Sequence, residues 1–158
     1  MSLPVNLHAT VVAVGGRGIL LRGAARSGKS ALALSLLRRA EMLGLDAALV
    51  ADDQVFVEVH DGRVEAVAPL SIRGLIEISG VGIVPERSIP RARLHLVVDL
   101  LEPAALERLP EQASVDIAGI ALRRITLPAR QSALGADVVH SLLWPRTPGP
   151  VAPLITSI

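Results

Sequence analysis

The sequence GAARSGKS, residues 23–30, is the feature that most limits the possible folds of this chain. It matches the phosphate-loop pattern G-x-x-x-x-G-K-[ST] at every required position. The two glycines let the backbone turn tightly, so that amide groups point at phosphate oxygens. Lys29 can reach the outer phosphates of a nucleotide, and the Ser30 hydroxyl can join a Mg²⁺ shell. The pattern therefore requires a strand that ends at the loop and a helix that begins there.

The sequence on both sides of the loop meets that requirement. Residues 5–14 and 19–23 are apolar and rich in β-branched side chains, and glycines between them predict a turn that makes the two strands antiparallel neighbours. Residues 30–44 are strong helix formers that end in glycine, which predicts a helix. Paired strands ahead of the loop favour an α/β fold with a mixed sheet and flanking helices over a purely parallel one.

The remaining sequence predicts further strands around one domain. We expect strands at residues 47–51 and 92–101, a last strand with its exit loop at 120–131, a hairpin at 54–67 turning at Asp61 and Gly62, a short helical turn at 102–110 and a helix at 132–144. An apolar run at 75–84 contains two glycines and ends at Pro85. We predict one domain over residues 1–145, followed by a proline-rich tail over 146–158.

Composition narrows the classes of function. The net charge is only +1, and the aromatic residues are one Phe and one Trp, so a nucleic-acid partner is not expected and a bound adenine would be held mainly by aliphatic contacts. The absence of cysteine excludes thiolate chemistry. We expect no membrane span, because no uncharged apolar run reaches about 18 residues. The uncharged N-terminal residues are interpreted as a strand, not a signal peptide, and the protein as cytoplasmic.

Acidic residues at the end of an apolar strand form the second candidate site feature. Asp52 and Asp53 follow the sequence ALVA downstream of the phosphate loop, a position that suits Mg²⁺ binding. Successive side chains on a strand point to opposite faces, so one carboxylate should lie nearer the metal and the other nearer the acceptor. The alternative is a solvated strand end or a turn.

Two further polar residues interrupt apolar sequence. His8 is predicted to lie inside the first strand, where a histidine is more often a core or edge residue than a catalytic one. Glu77 lies in the run LIEISGVGIV, where burial would require a partner or a metal. Strand alternation can equally place Glu77 on the solvent-facing side.

Four separated motifs, in order, resemble the catalytic domain of bacterial HPr kinase/phosphorylase. They are LHAT, GAARSGKS, LVADD and LIEISGVGIV, the last of which is similar to that family's signature run E-I-R-G-L-G-I. The similarity extends from about residue 8 to residue 84 and more thinly to about residue 130. The chain resembles the family's short form, which lacks the additional N-terminal domain.

The resemblance implies a fold, cofactors and a partner. The fold would be similar to that of phosphoenolpyruvate carboxykinase, a mixed sheet around an unusual phosphate loop. The cofactors would be ATP and Mg²⁺, and the substrate a serine of HPr, the small carrier protein of the phosphotransferase system. Many members also remove the phosphate by phosphorolysis, forming pyrophosphate, and members commonly assemble as hexamers.

The resemblance also implies roles for individual residues. Asp52 would accept the serine proton, Asp53 would support the metal or position its neighbour, and His8 would orient the pair. Glu77 would complete a metal shell that also includes Ser30. The nucleotide would be bound by the loop residues Gly23, Ala24, Ala25, Arg26, Ser27, Gly28, Lys29 and Ser30.

The chain departs from the family pattern at two places. Ser79 replaces the signature arginine, and the later family segment P-V-x-P-G-R-N is reduced to LPARQSA. Arg130 is the nearest candidate for the arginine of that segment, ahead of Arg124, and is otherwise a solvated loop charge. These departures bear on phosphorolysis more than on the kinase reaction. The alternatives are a small-molecule kinase with the same loop and an ATP-binding sensor that no longer transfers phosphate.

Overall fold

The strands and helices follow one another along residues 3–111 and 114–145, the part of the chain that the computed structural model describes. Eleven strands and two α-helices occur there. They are β1 (Val5–Leu7), β2 (Thr10–Val14), β3 (Arg17–Gly23), α1 (Lys29–Met42), β4 (Ala47–Ala51), β5 (Val55–His60), β6 (Arg63–Val67), β7 (Leu75–Ile78), β8 (Gly82–Pro85), β9 (Arg91–Leu101), β10 (Ser114–Ile117), β11 (Ile120–Pro128) and α2 (Ser132–Leu143).

Nine of these strands form one mixed sheet. Its order is β1-β5-β6-β9-β3-β2-β4, while β11 pairs with β9 and β10 pairs with β11. The β3–β9 and β9–β11 pairs are parallel, and the other pairs are antiparallel. Strands β7 and β8 form a separate hairpin. The predicted α/β fold with a mixed sheet and flanking helices is confirmed.

The two faces of the sheet are covered differently. In β2, Val12 and Val14 pack with α1 and α2, whereas Val11 and Ala13 face a second cluster that includes residues of β5 and β6. Because successive side chains point to opposite faces, the fully buried sequence TVVAV can contribute to both clusters. One face is therefore covered by the helices. The other face packs against the β5–β6 hairpin, whose strands belong to the same sheet.

Strand direction brings the candidate residues to one edge of the sheet. β2 runs antiparallel to both β3 and β4, so β3 and β4 end where β2 begins. β9 and β11 run parallel to β3 and end at the same edge. The phosphate loop, Asp52, Glu102 and Arg130 follow the ends of these four strands, and Thr10 opens β2. One edge thus collects the polar residues from five separate parts of the chain.

The structure differs from the sequence prediction, or adds to it, in four places. The first strand is divided, and His8 lies in a bend between β1 and β2, because β1 pairs with β5 whereas β2 pairs with β3 and β4. The run at 75–84 is a hairpin, and the helical turn at 102–110 is reduced to Pro103–Ala105. β10 is an additional strand. The predicted turn at Asp61 and Gly62 is confirmed, with φ of 51° and 72°.

The predicted tail over residues 146–158 lies outside the described residues. Neither α1 nor α2, the helices of the described part, is long and apolar enough to span a membrane.

Candidate active site

The phosphate loop connects β3 to the N-terminus of α1. Gly28 precedes the helix in the left-handed region with φ of 94°. No side chain caps the helix, and no acidic residue lies in its first turn. The first amide groups of a helix lack internal acceptors, and the helix dipole makes that end partly positive. The start of α1 is therefore suited to binding an anionic group.

Glycine is favoured at both ends of the loop, at Gly23 by a close contact and at Gly28 by its left-handed backbone. A Cβ on Gly23 would lie 2.4 Å from Ser27 Oγ, and a Cβ on Gly28 would lie 3.3 Å from the backbone nitrogen of Arg130. Arg26 also adopts a positive φ of 65°, which is unusual for a residue with a side chain. The loop conformation thus depends on these two glycines and on the segment packed against Gly28.

The Lys29 side chain is held by the loop itself. Its ammonium group donates hydrogen bonds to the carbonyl oxygens of Gly23 at 3.0 Å and Ala24 at 3.2 Å. The residue is buried, so its charge stays beside the turn that surrounds it. A lysine held in this way places positive charge next to the amide groups of the loop.

The Asp52 carboxylate connects the phosphate loop to three strands. Its Oδ1 accepts hydrogen bonds from Ser30 Oγ at 2.7 Å and Thr10 Oγ1 at 3.0 Å. Its Oδ2 accepts one from the Glu77 backbone N–H at 2.9 Å. Asp52 is buried, and three donors compensate for that burial. The carboxylate is fixed beside the last residue of the phosphate-loop motif.

Asp53 has a different environment from its neighbour. Its Oδ1 lies 2.5 Å from His8 Nε2, and both side chains are more than half exposed. Asp53 adopts a positive φ of 68°, which turns the chain sharply after β4. Asp52 thus contacts the phosphate loop through Ser30, whereas Asp53 contacts His8. The prediction that His8 lies within a strand is wrong, but the bend at that residue brings it to Asp53.

Thr10 joins the two aspartates and was not among the sequence-predicted site residues. Its hydroxyl donates to Asp52 Oδ1 and accepts a hydrogen bond from the Asp53 N–H at 3.1 Å. The side chain is fully buried. Its sequence signal is weak, because a threonine at the start of a strand is also common for its β propensity.

Glu77 reaches the site through its backbone. Its amide contacts Asp52, whereas strand alternation in β7 leaves the residue on the exposed side of the hairpin. Within residues 3–111 and 114–145, no group of three or more His, Cys, Asp or Glu side chains could hold a metal ion. Mg²⁺ commonly uses one or two protein oxygens together with phosphates and water. The adjacent oxygens of Ser30 and Asp52 fit that mode of binding, and an all-protein cage does not.

Arg130 packs directly on the phosphate loop. Its N–H donates to the Ser27 carbonyl at 2.9 Å, and the preceding Ala129 N–H donates to Leu101 at 2.8 Å. Its guanidinium makes two hydrogen bonds to Glu102, at 2.8 and 2.6 Å. These contacts raise the pKa of Arg130 and lower the pKa of Glu102. Both residues are exposed, so Arg130 is a solvated charge whose backbone supports the loop.

A second arginine group lies on the strands below the loop. Asp99 accepts two hydrogen bonds from Arg22, at 2.7 and 2.9 Å, and one from Arg124 at 2.5 Å. Burial of Asp99 raises its pKa, but the hydrogen bonds and charges of the two arginines outweigh this effect and lower the pKa overall. The group joins β3, β9 and β11 a few residues before each strand ends and its loop begins.

Comparison with known proteins gives one consistent family. The model of the HPr serine kinase C-terminal domain matches residues 1–144. The HPr kinase/phosphorylase of Bordetella petrii is 33% identical over 134 residues, which are 77% of this chain and 42% of that protein. The HPr kinase/phosphorylase of Clostridium tetani is 31% identical over 138 residues, which are 79% of this chain and 43% of that protein. The chain thus spans a little over two-fifths of the length of these relatives.

A solved structure agrees in fold. The Hpr(Ser) kinase/phosphatase from Coxiella burnetii superposes with a TM-score of 0.74 at 25% sequence identity. The superposition covers 88% of this chain and 96% of that chain. The similarity therefore includes nearly the whole of that chain.

Proposed function

Because the chain belongs to the HPr serine kinase C-terminal domain family, we propose that it transfers phosphate from ATP to a serine of HPr or an HPr-like carrier protein. The observation that carries the proposal is the hydrogen bond between Ser30 Oγ and Asp52 Oδ1 at the end of the phosphate loop. It joins the two motifs on which phosphoryl transfer depends, a phosphate-binding turn and an acidic strand end.

ATP would be bound through its phosphates by the loop. Support comes from the uncapped N-terminus of α1, the left-handed Gly28 and the buried Lys29. These groups give fixed amides and positive charge, which is most of what phosphoryl transfer requires of a protein. Mg²⁺ bound at Ser30 and Asp52 would supply charge neutralisation to the transferring phosphate.

The environments of the two aspartates support a division of roles opposite to that implied by the resemblance. Asp52 already accepts three hydrogen bonds and contacts Ser30, so it suits the metal side of the site. Asp53 is exposed and contacts His8, so it suits acceptance of the proton from an incoming serine hydroxyl. His8 would hold the Asp53 carboxylate in position. Glu77, with an exposed side chain, would join the metal shell only through an additional water or phosphate.

Phosphorolysis and assembly are further parts of the proposal. Arg130 would act on phosphate groups at the loop, supported by its backbone contact with Ser27. Replacement of the signature arginine by Ser79 favours the kinase direction over phosphorolysis. A hexamer is proposed by resemblance to the family, and a cytoplasmic location follows from an HPr-like partner.

The test combines labelled ATP, Mg²⁺ and the HPr-type carrier of the same cell with the purified full chain. The variants are Asp52→Asn, Asp53→Asn and Glu107→Gln, the last a matched loss of one surface charge. We expect serine labelling by the native chain and by Glu107→Gln. Asp53→Asn should lose about 10²- to 10⁴-fold in rate while still binding MgATP, and Asp52→Asn should require more Mg²⁺.

Each other outcome selects an alternative. Unchanged labelling by Asp53→Asn together with complete loss of labelling by Asp52→Asn would show that Asp52, not Asp53, accepts the serine proton. MgATP binding without transfer to any carrier would favour the hypothesis of an ATP-binding sensor. Transfer of phosphate to a free metabolite would favour the hypothesis of a small-molecule kinase. Addition of excess phosphate to the labelled carrier then tests phosphorolysis, which predicts release of labelled pyrophosphate.

A further inference from the structure

Arg130 is attached to two parts of the molecule by different atoms. Its N–H binds Ser27, and its Cα lies 3.3 Å from the position that a Cβ on Gly28 would occupy. Its guanidinium instead binds both oxygens of Glu102, the residue that follows β9. The backbone therefore belongs to the phosphate loop, while the side chain is held by a carboxylate outside the loop.

The backbone attachment is fixed, and the side-chain attachment is easily exchanged. Arg130 adopts a φ of 57°, and its main chain is anchored at both Ser27 and, through Ala129, at Leu101. The Arg130 and Glu102 side chains are 56% and 62% exposed. Exposed ion pairs contribute little because water and salt compete for both charges. Rotation of the side chain can therefore release the guanidinium without moving the loop.

A phosphate group is the natural competitor for this guanidinium. The planar fork of arginine binds phosphate and carboxylate in the same bidentate manner. A phosphate held by the amides that follow Gly28 would lie close to a residue whose Cα adjoins that glycine. Glu102 already uses both Nη atoms of the guanidinium, so a phosphate that binds through the same two atoms must displace it, and the two acceptors compete for that edge.

We propose that Glu102 is a positioning residue that competes with loop-bound phosphate for Arg130 and thereby weakens the affinity of the loop for MgATP. The proposal rests on the proposed function, since it requires that the loop bind a nucleotide. It identifies a residue after β9, outside every motif of the sequence, as one that sets nucleotide affinity. Removing the charge of Glu102 frees Arg130 and should strengthen binding.

The experiment is calorimetric titration of the full chain with MgATP. Native protein is compared with Glu102→Gln and with Glu107→Gln, a matched control that removes the same charge five residues along the chain. An exposed ion pair of ordinary strength corresponds to a factor of about two to five in an equilibrium constant. We expect the Kd for MgATP to fall by that factor in Glu102→Gln and to stay unchanged in Glu107→Gln.

A second pair of variants separates competition from a general change in structure. In an Arg130→Ala background, the further change Glu102→Gln should give no gain in affinity, because the guanidinium is absent. A gain that persists without Arg130, or equal affinities of Glu102→Gln and Glu107→Gln, would overturn the inference. If the native chain binds MgATP, such a result leaves the proposed function intact. Failure of the native chain to bind MgATP overturns both.

Discussion

Two arginine–carboxylate groups stand at the same edge of the sheet, and they differ in how they are held. Asp99 is buried on the strands and shared by Arg22 and Arg124, whose side chains are 31% and 26% exposed. Glu102 is only three residues further along the chain, but it lies in a loop and pairs with Arg130 in solvent. Two arginine–carboxylate groups only three residues apart are thus placed in different environments, one buried on strands and one exposed in a loop.

Position on a strand or on a loop determines what an ion pair can do. A pair between rigid strands, with its carboxylate largely shielded from water, holds those strands in one register and is costly to break. A pair at the surface contributes little to stability and can change partners. We therefore expect the Asp99 group to be structural and the Glu102 group to be exchangeable.

The largest expected effect is that of Asp99→Asn. The variant keeps the shape of the side chain but removes the charge that two guanidinium groups share, so we expect a loss of about 2 kcal/mol in unfolding free energy, below the value for a fully buried pair because both arginines are partly exposed. Urea denaturation measures it, with Glu107→Gln as the control. Equal urea midpoints for the two variants would contradict the structural role.

A second test uses pH. Because the pKa of Asp99 lies below its ordinary value of 3.8 in the folded chain, its carboxylate stabilises the fold fully above that value, and the contribution is lost as the pH falls from there through the folded pKa. The difference between native protein and Asp99→Asn should therefore be constant from neutral pH to about pH 5 and shrink in stronger acid. A difference that grows on acidification would mean that another group carries the stability.

The smallest effects come from exchanging arginine for lysine in each group. Arg22→Lys loses the two-point contact with Asp99 and should cost about 1 kcal/mol in unfolding free energy. Arg130→Lys should leave the urea midpoint unchanged, since its ion pair is exposed. Thermal and urea unfolding of both variants measure the contrast. A loss in Arg130→Lys as large as that in Arg22→Lys would remove the distinction between the two groups.

Local sequence patterns predicted much of the fold. The strand, loop and helix around residues 23–30 and the hairpin turn at Asp61 and Gly62 depend on neighbouring residues, so their signals are complete within a short window. The division of the first strand at His8 depends on β1 and β2 choosing different partners, which no local pattern contains. β10 was missed because its sequence, SVDI, is only four residues long and half polar, too short for an apolar strand pattern to stand out.

The candidate site was predictable only where a motif marks it. Asp52 and Ser30 belong to recognisable patterns, and the structure brings them within 2.7 Å. Asp99 and Glu102 belong to none, because each looks like an ordinary strand or loop residue until distant strands are placed in register. Thr10 ends the motif LHAT, but only the contact with both aspartates distinguishes it from an ordinary strand residue. The contact between Arg22 and Asp99 joins residues 77 positions apart, and only the sheet topology defines it.

Because the chain is synthesised from its N-terminus, the parallel pairing of β3 with β9 affects how the protein folds during synthesis. β2 and β3 can pair as soon as they leave the ribosome, but the other edge of β3 stays open until β9 emerges more than seventy residues later. Arg130, whose backbone supports the phosphate loop through Ser27, is synthesised later still. A nascent or truncated chain that stops before β9 therefore presents an unpaired strand edge with an apolar centre, the kind of surface that chaperones bind and that promotes aggregation.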